Sequence, residues 1–394
     1  MDEATKRFVR RKFAEYYRGA ELRLPSELEH REWGFVLFDA SYPRKTVMRR
    51  HRAFTTSTAL VSYLRKNAPA HVYYSSALYE RPSAEMDEKG WLGADLIFDL
   101  DADHIVDDKR SYPEMLDIVK KETLKLLDFL IGDFGFEEDL IEIVFSGSRG
   151  YHVHVRDESV RKLGSKERRE IVDYVTARGM KIGRFIVDAV IVDEKGKKRV
   201  LKLISEGWGS RLLRGLVEFL DRIAEMDDEE AFRSLLSIRG VGEKRAAALM
   251  KVIRDAAVMQ DIRNGLLPPH LRPVWEKIIE RERVKYEDHP DEPVTADVKR
   301  LIRMPTSLHG KTGFLVKPLS VRELEGFDPL EDAVVFGDDE VRVEIRRPAS
   351  IFLKSTTYKV EEGTEKLPMY AAIFLMCAGV ASLSGSAQDR DAVA

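Results

Sequence analysis

Two hydrophobic periods divide this chain. Runs with a two-residue period occupy its first half and its last third, whereas residues from about Ser205 to Lys285 repeat at helical spacing almost throughout. Strands, an all-helical stretch and then strands again do not read as a steady alternation of strand and helix. The order predicts an α+β fold in which a small helical domain, residues 205–285, interrupts one strand-containing core made of residues 1–204 and 286–383. The tail at 384–394 runs Ser-Gly-Ser-Ala-Gln-Asp-Arg-Asp and onward, offers little to bury, and is expected to be disordered.

Within the core, Gly93–Asp101 alternates as a strand with Leu96, Phe98 and Leu100 on one face. Pro113–Ile131 has helical spacing through Leu116, Val119, Leu127 and Leu130. Leu140–Phe145 and Tyr151–Val155 read as two strands around the tight Ser146-Gly-Ser-Arg-Gly150 turn. A helix is expected from Ser165 through Arg178, and Val341–Ile345 is strand-like. Met369–Leu383 is the most apolar stretch, but it falls short of the ~20 residues of a spanning helix. With Pro368 at its first helical position, it reads as a buried C-terminal core helix. Met1–Arg7 lacks the apolar core of an export signal and reads as a charged helix start. No membrane contact and a cytoplasmic, reducing setting are expected.

Charge is where composition becomes informative. The 65 Lys+Arg and 68 Asp+Glu nearly cancel to −3, which on its face excludes an all-over basic nucleic-acid binder. The cancellation is between segments. Glu80–Glu138 holds 17 acidic and 7 basic residues, Val160–Gly215 holds 15 basic and 7 acidic, and Arg239–Lys285 holds 11 basic and 6 acidic. One carboxylate-rich region and two basic ones suit a protein that holds cations and grips a polyanion. The single cysteine, Cys377, excludes an internal disulfide, a four-cysteine zinc site and an iron–sulfur cluster on the chain's own thiolates.

Three segments carry chemistry. Asp99 and Asp101, two apart on a strand, project from one face, where paired carboxylates can share hard divalent cations. The competing reading is a strand end running into the acidic loop of Asp103, Asp107 and Asp108. In the turn, Gly147 and Gly150 let backbone N–H groups approach an anion, Ser146 and Ser148 add hydroxyls, and Arg149 can bind a phosphate bidentately. His152 and His154 share a strand face and leave a zinc pair as the alternative, against which stands the lack of a nearby cysteine or further histidines. Farther on, Asp291-Glu-Pro-Val-Thr-Ala-Asp297 precedes a cationic run, Lys299-Arg-Leu-Ile-Arg-Met-Pro-Thr-Ser-Leu-His-Gly-Lys-Thr-Gly313.

In this order, Asp95-Leu-Ile-Phe-Asp-Leu-Asp101, Ser146-Gly-Ser-Arg-Gly-Tyr-His152, and Asp291 with Leu301–Gly313 resemble the catalytic small subunit of archaeal and eukaryotic DNA primases. Arg31-Glu-Trp-Gly-Phe35, Arg50 and Val72-Tyr-Tyr-Ser-Ser76 are family-like too, and the likeness runs from about residue 5 to residue 380. The resemblance implies a primase-polymerase core of mixed sheet with flanking helices. It implies that Asp99, Asp101 and Asp291 are catalytic and bind two divalent ions, Mg2+ or Mn2+. Arg149, His152, His309 and Lys311 would contact the triphosphate, supported by Ser146, Ser148 and Arg303, with Glu32 and Arg50 as secondary assignments. Asp291 is preferred to Asp297 because its distance from His309 matches the family pattern; Asp297 is expected to cap or salt-bridge within its own segment.

Many relatives carry a zinc knuckle between the first two motifs; here only His104 lies there, so no structural zinc is expected. The implied activity is de novo synthesis of short primers on single-stranded DNA from nucleoside triphosphates, in a heterodimer with an iron–sulfur large subunit. A primase-like repair polymerase that extends existing primers, or a silent nucleic-acid-binding scaffold, would share parts of the pattern. Leu236–Ala248 also resembles a helix-hairpin-helix, in which Gly240 and Gly242 would present backbone N–H groups to a DNA phosphate beside Lys244 and Arg245.

Overall fold

The computed structural model describes residues 1–105, 110–193 and 196–384. It comprises two compact units, one made of Met1–Val172 and the chain from His289 onward, the other of Asp173–Asp288. The first unit contains β1 (Trp33–Val36), β2 (Met48–Arg52), β3 (His71–Ser75), β4 (Ala77–Tyr79), β5 (Trp91–Ala94), β6 (Leu96–Asp101), β7 (Ile141–Phe145) and β8 (Gly150–Val155). The second contributes β9 (Ile186–Asp193), β10 (Gly196–Leu203) and β11 (Leu266–Leu267), after which the first resumes with β12 (Leu301–Arg303) and β13 (Lys317–Leu319).

Two four-stranded antiparallel sheets build the first unit, in the orders β12-β3-β1-β2 and β13-β7-β8-β6. In the second sheet Asp99 pairs with His152 and Asp101 with Gly150. Gly150 permits that close approach, since a Cβ there would fall onto the Leu100 carbonyl and 3.0 Å from the Asp101 Cα. The helix Tyr112–Gly132, opened by the Ser111/Glu114 capping box, packs on β6 and β8 and buries Leu116, Val119, Leu127 and Leu130. This helix is what occupies the chain between the first two motifs.

The run Gly93–Asp101 is not one strand, as its alternation suggests. β5 pairs with β4, β6 pairs with β8, and the break falls at Asp95. Asp95 is buried, and its carboxylate lies 2.8 Å from Arg31 Nη2, with both side chains 1% exposed. Arg31 Nη1 also donates to the carbonyls of Ser75 and Ser76, at 2.8 and 3.0 Å. Arg168 donates to the carbonyls of Asp95 and Ala94 at 2.8 and 2.7 Å. A strand interrupted by a buried acid needs these partners for its freed backbone groups.

Other boundaries differ from the sequence reading. The helix from Ser165 ends at Val175, before Arg178. The C-terminal helix covers only Met369–Cys377, and Pro368 precedes it as N-cap. Gly379, at φ +73, turns the chain into a strand, Ala381–Leu383, that pairs with Glu340–Ile345. In the second unit, helices Trp208–Ala224, Asp228–Leu236, Glu243–Ile253, Ala256–Arg263 and Arg272–Arg283 surround buried Trp208, Phe219, Trp275 and Ile278. That stretch also contains β11, which pairs with β10 through Leu201 and Lys202 and so ties the β9–β10 hairpin to these helices. This is why the compact unit begins at Asp173, ahead of the helices. The tail residues from 385 lie outside the described residues. Among the described residues, no helix is long and apolar enough to cross a membrane.

Arg31→Leu would leave the Asp95 carboxylate buried with only Arg161, at 3.9 Å, to face it. We expect a loss of about 3–5 kcal/mol in chemical denaturation. Wild-type stability in this variant would show that the buried pair does not hold the strand break.

Candidate functional site

A cavity of about 560 Å³ opens between the two sheets of the first unit. On one side lie Asp99 and Asp101 at the end of β6, with His152 on the neighbouring β8. Ser146, Ser148 and Arg149, from the β7–β8 turn, border them. On the other side are Arg300, Arg303, His309 and Lys311, with Tyr73 from β3 and Arg50 from β2. Nine of the ten residues expected to bind nucleotide or metal therefore line one cavity; Asp291 does not.

Asp291 instead caps the short helix Glu292–Ala296, which packs on β6, and its backbone N–H donates to the Asp99 carbonyl at 2.8 Å. Its charge still reaches the site. Burial, then the Asp101 and Asp291 carboxylates, push the Asp99 carboxyl up to about 7, against the opposing pull of Arg300 and Arg303. Asp297 accepts the Lys299 N–H at 2.9 Å within its own segment, and it also lines the cavity.

The cationic side is built by close packing. Gly147 sits at φ +80, and a Cβ there would lie 2.7 Å from the His309 Cβ, so the turn and the His309 segment can touch only with glycine at this position. Thr312 Oγ1 donates to the Gly147 carbonyl at 2.6 Å and accepts the Phe314 N–H at 3.1 Å. Its contact with His309 Nδ1, at 3.2 Å, must then be donated by the ring, which leaves Nε2 as the unprotonated nitrogen. Burial and the Arg303 charge hold His309 neutral, well below the usual histidine range. His152 is likewise buried, is pushed down to about 3, and places Nε2 3.6 Å from Asp99. Arg149 is half exposed and pairs with Asp103 at 2.7 Å, and the Ser146 hydroxyl is buried without a hydrogen-bond partner.

Several cavity residues have no place in the sequence reading of the site. Tyr73 lies within a segment quoted for its resemblance and Arg300 in the cationic run just before another, and only strand pairing brings them together. The Leu301–Arg303 strand lies antiparallel to β3, opposing Arg303 to Tyr73. Glu32 is fully buried and holds Arg50 through two hydrogen bonds, at 3.0 and 3.3 Å, which aims Arg50 into the cavity. The proposed hairpin turn belongs to the second unit. There Gly242 caps the helix Glu243–Ile253, Gly240 has φ +82, and Arg245 donates back to the Gly240 carbonyl at 3.1 Å.

Among the described residues, no three His, Cys, Asp or Glu side chains are gathered into a ready metal site, the His152–His154 pair included. The donor set nonetheless fits hard cations, because burial and the Asp101 and Asp291 carboxylates raise the cost of ionising Asp99, with Arg300 and Arg303 pulling the other way. The cost is measurable. Below about pH 4 Asp99 is protonated whether folded or not; between there and about 7 only the unfolded chain ionises, so stability falls as pH rises through that window. Asp99→Asn should therefore stabilise protein stripped of divalent ions, by on the order of 3 kcal/mol at pH 8 and by almost nothing at pH 4. A pH-independent difference in unfolding free energy would remove the like-charge account.

Residues 98–321 match the family described as DNA primase small subunit. Proteins named DNA primase small subunit PriS resemble the chain over nearly its whole length. That of Methanothrix thermoacetophila is 46% identical, covering 97% of this chain and 100% of its own. That of Methanococcoides burtonii is 45% identical, over 97% and 99%. A solved structure, the polymerase domain from Mycobacterium tuberculosis Ligase D in complex with DNA, overlaps 84% of this chain and 88% of its own at 13% identity and a TM-score of 0.33, too loosely to support an inference. With a match spanning more than half its length and relatives this similar end to end, the chain belongs to the DNA primase small subunit family.

Proposed function

We propose that this chain makes short primers de novo on single-stranded DNA by joining nucleoside triphosphates. Family membership supports the reaction class. The observation that carries the reading is one cavity with carboxylates on one side and Arg303, His309 and Lys311 on the other. Nucleotidyl transfer needs both: anions to hold cations at the reacting oxygens, and cations for the charge spreading over the phosphates.

Two divalent ions, Mg2+ or Mn2+, would be held by Asp99, Asp101 and Asp291 and would acidify the attacking 3′-hydroxyl and neutralise the departing pyrophosphate. The protein supplies the rest. Arg149, released from Asp103, swings its guanidinium to a phosphate, and Lys311 is exposed at the rim to meet another. Arg303 lies deeper, fixed against Tyr73. His309 offers Nε2, which can donate to a phosphate once the ligand's own negative charge lets it take up a proton. Ser146 and Ser148 add donors from the turn, and the unpartnered Ser146 hydroxyl gains an acceptor when phosphate arrives.

Within this reading the partners are a large subunit, the template strand and nucleoside triphosphates, and the setting is the cytoplasm. The helical insert steadies the template through the Gly240–Gly242 turn, beside exposed Lys244 and Arg245. Gly240 also lies against the Lys277 amine, so a larger residue there would displace that charge as well. Replacing both glycines with valine should weaken binding to single-stranded DNA at least severalfold and leave nucleotide binding intact. Unchanged template affinity would remove the insert from the template path.

The decisive assay supplies template, labelled ribo- or deoxynucleotides and Mg2+ or Mn2+, with no primer. Labelled oligomers are expected from the wild type, and Asp101→Asn should reduce them by at least about a thousandfold while the protein still folds. Extension only of an added primer would indicate a repair-type polymerase, and no incorporation under either condition would indicate a scaffold.

A further inference from the structure

β3 presents two side chains on one face, His71 and Tyr73, and both meet Arg303. The Arg303 guanidinium lies over the Tyr73 ring at 5.1 Å, and its Nη1 is 2.8 Å from His71 Nδ1. Arginine only donates, so Nδ1 is the accepting nitrogen and the ring is the Nε2–H tautomer. The same Nδ1 lies 3.4 Å from the Gly310 N–H, and the His71 ring meets that of His309 edge to face at 4.8 Å. His71 is 3% exposed.

The segment it touches has little freedom. Tyr42 donates its hydroxyl to the Gly310 carbonyl at 2.8 Å. A Cβ on Gly310 would lie 2.6 Å from that hydroxyl and 2.9 Å from the Ala70 carbonyl oxygen. His71 follows Ala70 directly and thus sits where the backbone between His309 and Lys311 is pressed onto β3.

We propose that His71 is a positioning residue for the nucleotide. It accepts from Arg303 and from the Gly310 N–H at once and so locks the guanidinium, the His309 ring and the Lys311 backbone into one arrangement. The proposal rests on the reading of the cavity as a triphosphate site. A neutral ring is required for this role, and burial together with the Arg303 and Lys311 charges keeps it so. A protonated His71 would set a cation against Arg303 and lose its acceptor. Tyr73 supplies the second half of the clamp, a π face that holds the charge without neutralising it. Arg303 is thereby ordered while its positive charge stays available to an incoming anion.

Primer synthesis kinetics test this. His71→Ala should raise KM for the nucleoside triphosphate about tenfold with kcat within about twofold, because a loosened cation weakens binding more than it disturbs the reacting atoms. His71→Asn keeps an acceptor oxygen near the Nδ1 position and should restore KM to within about threefold, while His71→Gln, whose oxygen falls elsewhere, should not. Should the alanine protein fail to fold, the Asn and Gln proteins carry the same comparison. Combining His71→Ala with Arg303→Ala should cost less than the product of the two single losses, the small remainder reflecting the Gly310 contact. If Arg303→Ala raises KM but His71→Ala does not, or if the two losses multiply, His71 does not act through Arg303 and the proposal falls. If Arg303→Ala itself leaves KM unchanged, the triphosphate reading falls and the role of His71 falls with it.

Discussion

The buried pair of Arg31 and Asp95 joins the two sides of the site. Arg31 anchors the end of β3 through the Ser75 and Ser76 carbonyls, while its charge holds the carboxylate at the start of β6. β3 leads back to Tyr73 and His71, and β6 leads forward to Asp99 and Asp101. One guanidinium thus sets the distance between the sheet that carries the acids and the sheet that carries the cations. Arg168 completes the junction from the helix Ser165–Val175 by taking up the carbonyls that the strand break frees. A buried ion pair is a poor source of net stability, since desolvating two charges costs about as much as their attraction returns. Its value here is geometric, because neither partner can move without giving up the close contact that the other, buried, depends on.

The same logic separates two kinds of buried charge in this molecule. Asp95 and Glu32 are acids paired with named cations, and Arg50, beside the His51 N–H, holds Glu32 below the usual carboxylate range despite its burial. Asp99 is the opposite case, shifted upward by its burial and then by the Asp101 and Asp291 carboxylates. Acids paired with cations shape the scaffold, whereas the one crowded by other acids marks where a cation belongs. The overall charge of −3 hides this contrast, since the acidic and basic walls of one cavity contribute with opposite signs.

Much of the site was legible because its residues come in short runs whose geometry follows from a strand or a turn. Asp99 and Asp101 share a face by the period of a strand, and the Ser146–Gly150 turn announces itself by its glycines. What stayed hidden depends on contacts distant in sequence. His71 and Arg303 are 232 residues apart, and no local pattern marks a lone histidine at the start of a strand. The break at Asp95 was missed because alternation continues through it, and only the identity of its partners makes the acid tolerable. The shortening of the C-terminal helix has a local cause, Gly379, whose turn the strong apolarity of Met369–Leu383 masks. The small strand Leu266–Leu267 carries too few residues to show a period at all, yet it assigns the β9–β10 hairpin to the helical unit.

The glycines of the site show how these distant contacts are made compatible. Gly150 lets β8 lie against the backbone of β6 at Asp101, Gly147 lets the turn touch His309, and Gly310 lets the next segment pass between Tyr42 and Ala70. Each sits at a crossing where two backbones, or a backbone and a ring, come closer than a Cβ allows. A binding site for a highly charged ligand gains from such crossings, because they bring backbone and cations to a small volume before the ligand arrives. The residual freedom then lies with cations such as exposed Lys311 and Arg300 and half-exposed Arg149, while Arg303 and His309 are already held. On this arrangement the deep contacts orient the ligand and the exposed ones close over it, so the ordering cost of binding falls on a few side chains rather than on the fold.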